Sequence, residues 1–141
     1  MPPMDNRQIA LILGRGRAVI GLAALVLPGA TIRLVLGAGA ATPPAKALTR
    51  MLGVRDFAIG IGAITSVKEE TQGPEWLSMG AFADGIDAVV FLTLRDAPRR
   101  ARLIGVAAAG SAVFAMKVSR DLADARAVEA AARDALGETG A

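Results

Sequence analysis

Residues 80–92 read Gly-Ala-Phe-Ala-Asp-Gly-Ile-Asp-Ala-Val-Val-Phe-Leu, and residues 53–59 read Gly-Val-Arg-Asp-Phe-Ala-Ile. Both stretches have the apolar content of a membrane-crossing helix, and both carry charges in the middle. Arg55, Asp56, Asp84 and Asp87 each cost at least ~2.5 kcal/mol in hydrocarbon if left alone, so they are expected to face one another or a wet cavity. Asp84 and Asp87 are three residues apart and share one face of a helix. Arg55 and Asp56 are adjacent and point ~100° apart. Gly80 and Ala88 lie near the Asp84/Asp87 face and leave room for a neighbouring helix. These features predict a helical bundle held together from inside by charge.

The rest of the chain extends that pattern. Residues 18–32 carry no charge, Arg33 follows, and residues 34–45 are again uncharged. A first helix is expected at about 8–28, with a short helical or interfacial stretch over 30–37 and a Gly/Ala/Pro connection over 37–44. Proline is preorganised for the first turn of a helix, so Pro43-Pro44 opens a second helix at about 44–67, with Lys46 and Arg50 snorkelling at its entry. Lys68 to Pro74 is a polar turn. A third helix follows at about 74–94, with Trp76 as an interfacial anchor. The basic loop Arg95 to Arg100 leads into a fourth helix at about 98–117, whose centre has fourteen uncharged residues between Arg102 and Lys117.

The expected fold is therefore all-α: a four-transmembrane-helix bundle over residues 1–118 with a charged helical tail over 119–141. A full span needs ~20 mostly apolar residues, and no segment is uncharged for that long. The competing reading is a soluble helical domain. It is disfavoured because these stretches are apolar nearly all round, which suits lipid or the interior of a large protein, and 141 residues cannot bury four such helices. The N-terminal region also has the outline of a signal peptide, with Arg15 and Arg17, the apolar run Ala18–Leu27 and a small-residue site at 38–40. The membrane-like segments that follow oppose cleavage there.

Composition narrows function by exclusion. The chain has 53% hydrophobic and 21% charged residues and a mean hydropathy of +0.47. It has no Cys, His or Tyr, which removes thiol nucleophiles, zinc-finger ligands and imidazole acid–base chemistry. Asp84 and Asp87 could act as acid and base, but no other residues complete a catalytic constellation. Gly60-x-Gly62 lacks the Lys-Ser/Thr of a phosphate loop. A net charge of +3 without interleaved aromatics gives no nucleic-acid footprint. No enzyme activity, no cofactor and no metal are expected.

The candidate site is an intramembrane charge network of Arg17, Arg55, Asp56, Asp84 and Asp87. Two cations against three carboxylates leave one excess negative charge, balanced either by a proton on one carboxyl or by Arg15. Ala58-xxx-Gly62 and Ala107-xxx-Ser111 are small-xxx-small spacings that suit close helix packing. In the tail, Leu122, Val128 and Leu136 lie on a weak apolar stripe that could dock a partner, and Glu129 and Arg133 are spaced for an i,i+4 pair. The basic 3–4 loop leans toward the cytoplasm by the positive-inside rule, which places both termini outside.

Gly21, Pro28 and Leu36-Gly37, the run Leu48–Asp56, Gly60-x-Gly62, and Gly80–Asp84-x-x-Asp87-Ala88 together resemble a family of small four-helix membrane proteins common in actinobacteria. The resemblance covers roughly residues 15–115, and its most specific parts are Gly-Val-Arg-Asp at 53–56 and Ala-Asp-x-x-Asp-Ala at 83–88. It implies an integral membrane bundle and supplies no reaction. The functional expectation is a non-enzymatic accessory or scaffold subunit of a larger membrane complex, such as a lipid or cell-envelope transporter in the plasma membrane. Its partners would be other membrane subunits and membrane lipids, with no nucleic acid. The alternative is a small homo-oligomeric transporter or proton-linked carrier that uses the Arg/Asp cluster. A lipid-acting membrane enzyme is a third, weaker reading.

Overall fold

The computed structural model describes residues 5–69 and 73–135, and these are helical with no strand. The helices are α1 (Asn6–Val26), α2 (Pro28–Val35), α3 (Pro43–Lys68), α4 (Gly73–Thr93) and α5 (Arg99–Ala135), with a 3₁₀ turn at Ala38–Ala40. Local chemistry explains the boundaries. The Asp5 carboxylate accepts from the Arg7 amide and caps α1. Thr42 caps α3 just ahead of Pro43 and Pro44. Gly37, at φ 104° and ψ 168°, takes an extended positive-φ conformation that is essentially confined to glycine, and its amide donates to the Ile32 and Arg33 carbonyls. The Gly14–Arg17 segment does not interrupt α1, which passes through it as one helix.

α1 and α3 run antiparallel as one tight pair, α4 and α5 form a second, and the two pairs meet mainly through α3 and α4. The buried residues of α1 are Ala10, Gly14, Ala18, Gly21 and Ala24, a stripe of small residues only. It lies against Gly53, Gly60 and Ala63 of α3. A Cβ on Gly60 would fall 2.5 Å from the Ala18 amide nitrogen and 2.7 Å from the Gly14 carbonyl. One on Gly53 would fall 2.7 Å from the Gly21 carbonyl. Backbone rests on backbone here, which only glycine permits and which brings Cα–H groups toward facing carbonyls.

The small-residue pairs that sequence spacing singled out are placed differently. Ala58 and Ala107 are exposed. Gly62 faces the ring of Trp76 rather than another backbone. The seam instead uses Gly14/Gly21 and Gly53/Gly60, each seven residues apart and so on one helix face.

At the end where α1 begins, Ala10, Ala63, Val67, Leu77 and Val118 form an apolar cluster, and Trp76 and Leu122 pack against it. The Ser119 hydroxyl donates to the Pro74 carbonyl at 2.6 Å and ties α5 to the start of α4. α5 continues through this point without a break to Ala135. Its 37 residues span ~55 Å against a hydrocarbon thickness of ~30 Å, so the charged tail is a continuation of the fourth long helix.

Among the described residues, no large side chain is fully buried, whereas Val19, Phe82, Leu103 and Val113 are among many exposed large hydrophobics. Alanine fills most of the buried apolar positions, with Ile32, Ile59, Val67, Leu77 and Val118 as the larger ones, while many large apolar side chains face out, unlike a water-soluble core. Hydroxyls within the helices are satisfied locally: Thr49, Thr65 and Thr93 donate to the carbonyls four residues back. Three helices, α1, α4 and α5, are long and apolar enough to cross a membrane. The 26 residues of α3 are sufficient in length (~39 Å), but Lys46, Arg50, Arg55, Asp56 and Lys68 lower its apolar content.

Candidate functional site

The five charged residues singled out in the sequence converge at the junction of the two helix pairs. Arg17 projects from α1, beside the glycine stripe, toward α4. Its Nη1 donates to Asp56 Oδ1 on α3 at 3.0 Å, and its Nη2 donates to the Gly80 carbonyl on α4 at 3.0 Å. The same Nη2 is ion-paired with Asp84 Oδ1. Gly80 makes room for this: a Cβ there would stand 3.2 Å from Arg17 Nε. Arg55 Nε donates to Asp56 Oδ1 at 3.1 Å, while its two terminal nitrogens make a bidentate pair with Asp87 at 3.3 and 2.7 Å. Bidentate guanidinium–carboxylate pairs add directional specificity to charge. Asp56 is thus shared between both arginines.

Ser111 of α5 completes the arrangement. Its hydroxyl donates to Asp84 Oδ2 at 2.7 Å. The chain of contacts therefore joins α1, α3, α4 and α5 through one continuous set of polar groups. Sequence reading placed Ser111 in a packing motif instead. The available signal was a lone hydroxyl in the middle of an uncharged fourteen-residue run.

The network is drier at one side. The side chains of Arg17 and Asp84 are 15% and 14% exposed, against 30% and 26% for Arg55 and Asp87. Arg15 is exposed and takes no part in these pairs, so it does not supply the missing positive charge. With each group ionised, two guanidiniums face three carboxylates.

Two grooves lie on the outer face of α4 and α5. One is lined by Phe82, Val113, Met116 and Lys117 among others, the second by Phe82, Gly85, Ile86, Val89 and Val90. No residue of the charge network lines either one. Among the described residues, no group of three or more metal-ligating side chains is placed to hold an ion.

Of the tail residues read as a docking stripe, Leu122 packs partly against the apolar cluster. Val128 is 69% exposed, and Leu136 lies outside the described residues. Glu129 and Arg133 approach to 3.9 Å, and Lys117 and Asp121 to 2.7 Å. Comparison of the chain with protein-family models, with curated proteins and with solved structures returns no match.

Proposed function

We propose that this chain is a multi-pass plasma-membrane protein that crosses the bilayer four times, with α1, α3, α4 and α5, and serves as a non-enzymatic accessory subunit of a larger membrane assembly. The many large apolar side chains on the outer surface support residence in lipid. The charge of α3 is compatible with a span, because Arg55 and Asp56 are paired and Lys46, Arg50 and Lys68 lie toward its ends, where they snorkel. The resemblance of residues 53–56 and 83–88 to small four-helix actinobacterial membrane proteins points the same way.

One observation carries the subunit reading: the half-buried charges are spent on each other, on a backbone carbonyl and on Ser111. Such a network fixes helix register and orientation without offering a substrate a free group. The continuation of α5 beyond the bundle, with Val128 exposed among alternating charges, supplies a docking element. A lipid or cell-envelope transporter is the proposed host, with the basic α4–α5 loop in the cytoplasm and both termini outside.

The test is purification of a chain tagged at its native locus in mild detergent. Stoichiometric recovery of a large membrane complex is the expected result. A clean, small homo-oligomer overturns it and favours the second reading, a proton-linked carrier, for which the unequal count of arginines and carboxylates in the network is the motivating observation. The two also separate on Asp84→Asn. In an accessory subunit this lowers assembly yield, and in a carrier it preserves the fold and removes pH-dependent flux in liposomes.

A further inference from the structure

The two ends of the bundle differ in how their charges are used. At the end where α1 starts, several cations have partners. Lys117 pairs with Asp121, Arg133 with Glu129, and Arg7 donates to the Lys68 carbonyl. The opposite end gathers α2, the 3₁₀ turn, the start of α3, the end of α4 and the start of α5. Residues 27–52 and 91–105, which build it, hold seven cations and a single acid, Asp96. None of those seven makes an ion pair among the described residues.

Three of the cations surround α2. A Cβ on Gly29, in the first turn of α2, would lie 3.3 Å from Lys46 Cε and 3.8 Å from Arg33 Nη1, so both side chains approach the same vacant point. Arg100 lies against Gly37 at the other end of α2, with Nη2 2.6 Å from the position a Cβ would take. Three cations gathered about one short helix, with no carboxylate among them, leave a local positive field to be met by something outside the chain.

The same helix identifies that something. α2 buries Pro28 and Ile32 and turns Leu34 outward, 73% exposed, beside exposed Arg33. Leu27, Leu48, Met51 and Leu103 are exposed just below the cations. Apolar chain and cation side by side match the headgroup level of a bilayer, whereas a nucleic-acid surface would not be floored with leucine. We infer that the α2 end is a binding surface for anionic phospholipid headgroups, with Arg33 and Lys46 at the start of α2 and Arg100 at its far end meeting the phosphates of bound lipids. This rests on the membrane reading above and adds a ligand class to it. Each cation near an anionic lipid surface strengthens binding roughly fivefold.

The test titrates the full chain, purified in neutral detergent, with phosphatidylglycerol and with phosphatidylcholine, counting retained lipids by native mass spectrometry. Phosphatidylglycerol is expected to be retained at least roughly tenfold more tightly, with the preference falling as salt rises. Arg33→Gln with Lys46→Gln and Arg100→Gln is expected to remove about a hundredfold of that affinity. Lys117→Gln with Arg120→Gln, at the other end, is expected to leave it unchanged. Equal retention of the two lipids by the wild-type chain overturns the inference without recourse to any variant. A preference that survives the triple substitution in a folded protein, or moves with Lys117 and Arg120, also overturns it. Inorganic phosphate that displaces phosphatidylglycerol at equal concentration assigns the cations to free phosphate and overturns the lipid source. Recovery of the chain in the aqueous phase of a detergent phase separation overturns the membrane reading itself, an outcome distinct from all of these.

Discussion

The α1/α3 pair and the α4/α5 pair solve the same problem in different ways. In the first, glycines at 14, 21, 53 and 60 set backbone on backbone. In the second, Gly105 of α5 faces the side chains of Phe91 and Leu92, and Ala81, Ala83, Ala88, Ala101 and Ala115 fill the buried positions. At Gly21, Gly53 and Gly60 the nearest atoms across the first seam are all backbone and cannot yield, and the second seam is lined by side chains that can shift. Where the two pairs meet, the apolar cluster of Ala10, Ala63, Val67, Leu77 and Val118 is joined by polar links: Arg17 reaches from the first pair to Asp84 and Gly80 of the second, and Arg55 reaches to Asp87. Apolar packing thus builds each pair and part of the joint, and charge selects how the pairs are joined. In lipid this division is physically sensible, because burial of apolar surface no longer discriminates between partners.

The joint should therefore be the most sensitive element. Arg17→Leu leaves Asp84 with only Ser111 and removes one of the two arginines from Asp56, which is expected to cost about 3–5 kcal/mol. Trp76 lies on Gly62, across the joint from α4 to α3, and as the single tryptophan its emission during thermal unfolding in detergent reports separation of the pairs directly. Replacing Arg17 and Asp84 together by leucine is expected to cost less than replacing Arg17 alone, because it leaves fewer unpaired charges. A double variant as unstable as the sum of its parts would show that the pair adds nothing beyond packing.

Next in size is the glycine seam. Gly60→Ala places a methyl 2.5 Å from the Ala18 amide nitrogen, so the α1 and α3 axes must part, at a cost of about 2–3 kcal/mol. The same denaturation measurement applies, and a loss below that of Ser111→Ala would contradict the reading that backbone contact governs this pair. Ser111→Ala removes a 2.7 Å donor to Asp84 and is expected to cost about 1.5 kcal/mol, the lower range for a hydrogen bond to a charged group. Its effect should largely disappear in an Asp84→Leu background.

Much of this arrangement could be read from the sequence, and the parts that could not have a common cause. Charges punctuate the apolar runs, so α3 ends at Lys68 and α4 at Thr93, within a few residues of the limits that Lys68-Glu69 and Arg95-Asp96 set, whereas α5 runs on past Lys117 to Ala135. The spacing of Asp84 and Asp87 put both carboxylates on one face, and the structure brings Arg55 to one and Arg17 to the other. The glycine seam was not legible because small-residue spacings recur throughout a chain with 16 glycines, and nothing local says which helix faces which. Arg17 was placed in the network from the sequence, but Arg15 stayed open as a counter-charge for the same reason: the choice depends on the neighbours of α1, not on α1. Ser111 joins the network only because α4 brings Asp84 to α5. Periodicity reports the face of one helix, and the pairing of faces is information that no single helix carries.

The smallest effects give the sharpest version of the comparison between the pairs. Gly105→Ala puts a methyl 3.0 Å from Leu92 Cγ and Phe91 Cβ, where side chains can rotate by a few tenths of an ångström. The gain from replacing glycine by alanine within a helix, up to about 1 kcal/mol, then opposes the crowding, and the net change is expected to stay within about 1 kcal/mol of zero. Gly110, one and a half turns further along the same helix, has nothing within 4 Å. Gly110→Ala should therefore show the helix term alone, as a rise of about 0.5–1 kcal/mol in stability. Subtracting one result from the other isolates the packing cost at the α4/α5 seam in a single helix and a single solvent. If that difference matches the loss at Gly60, the second pair is as rigid as the first, and the distinction between backbone and side-chain seams is lost.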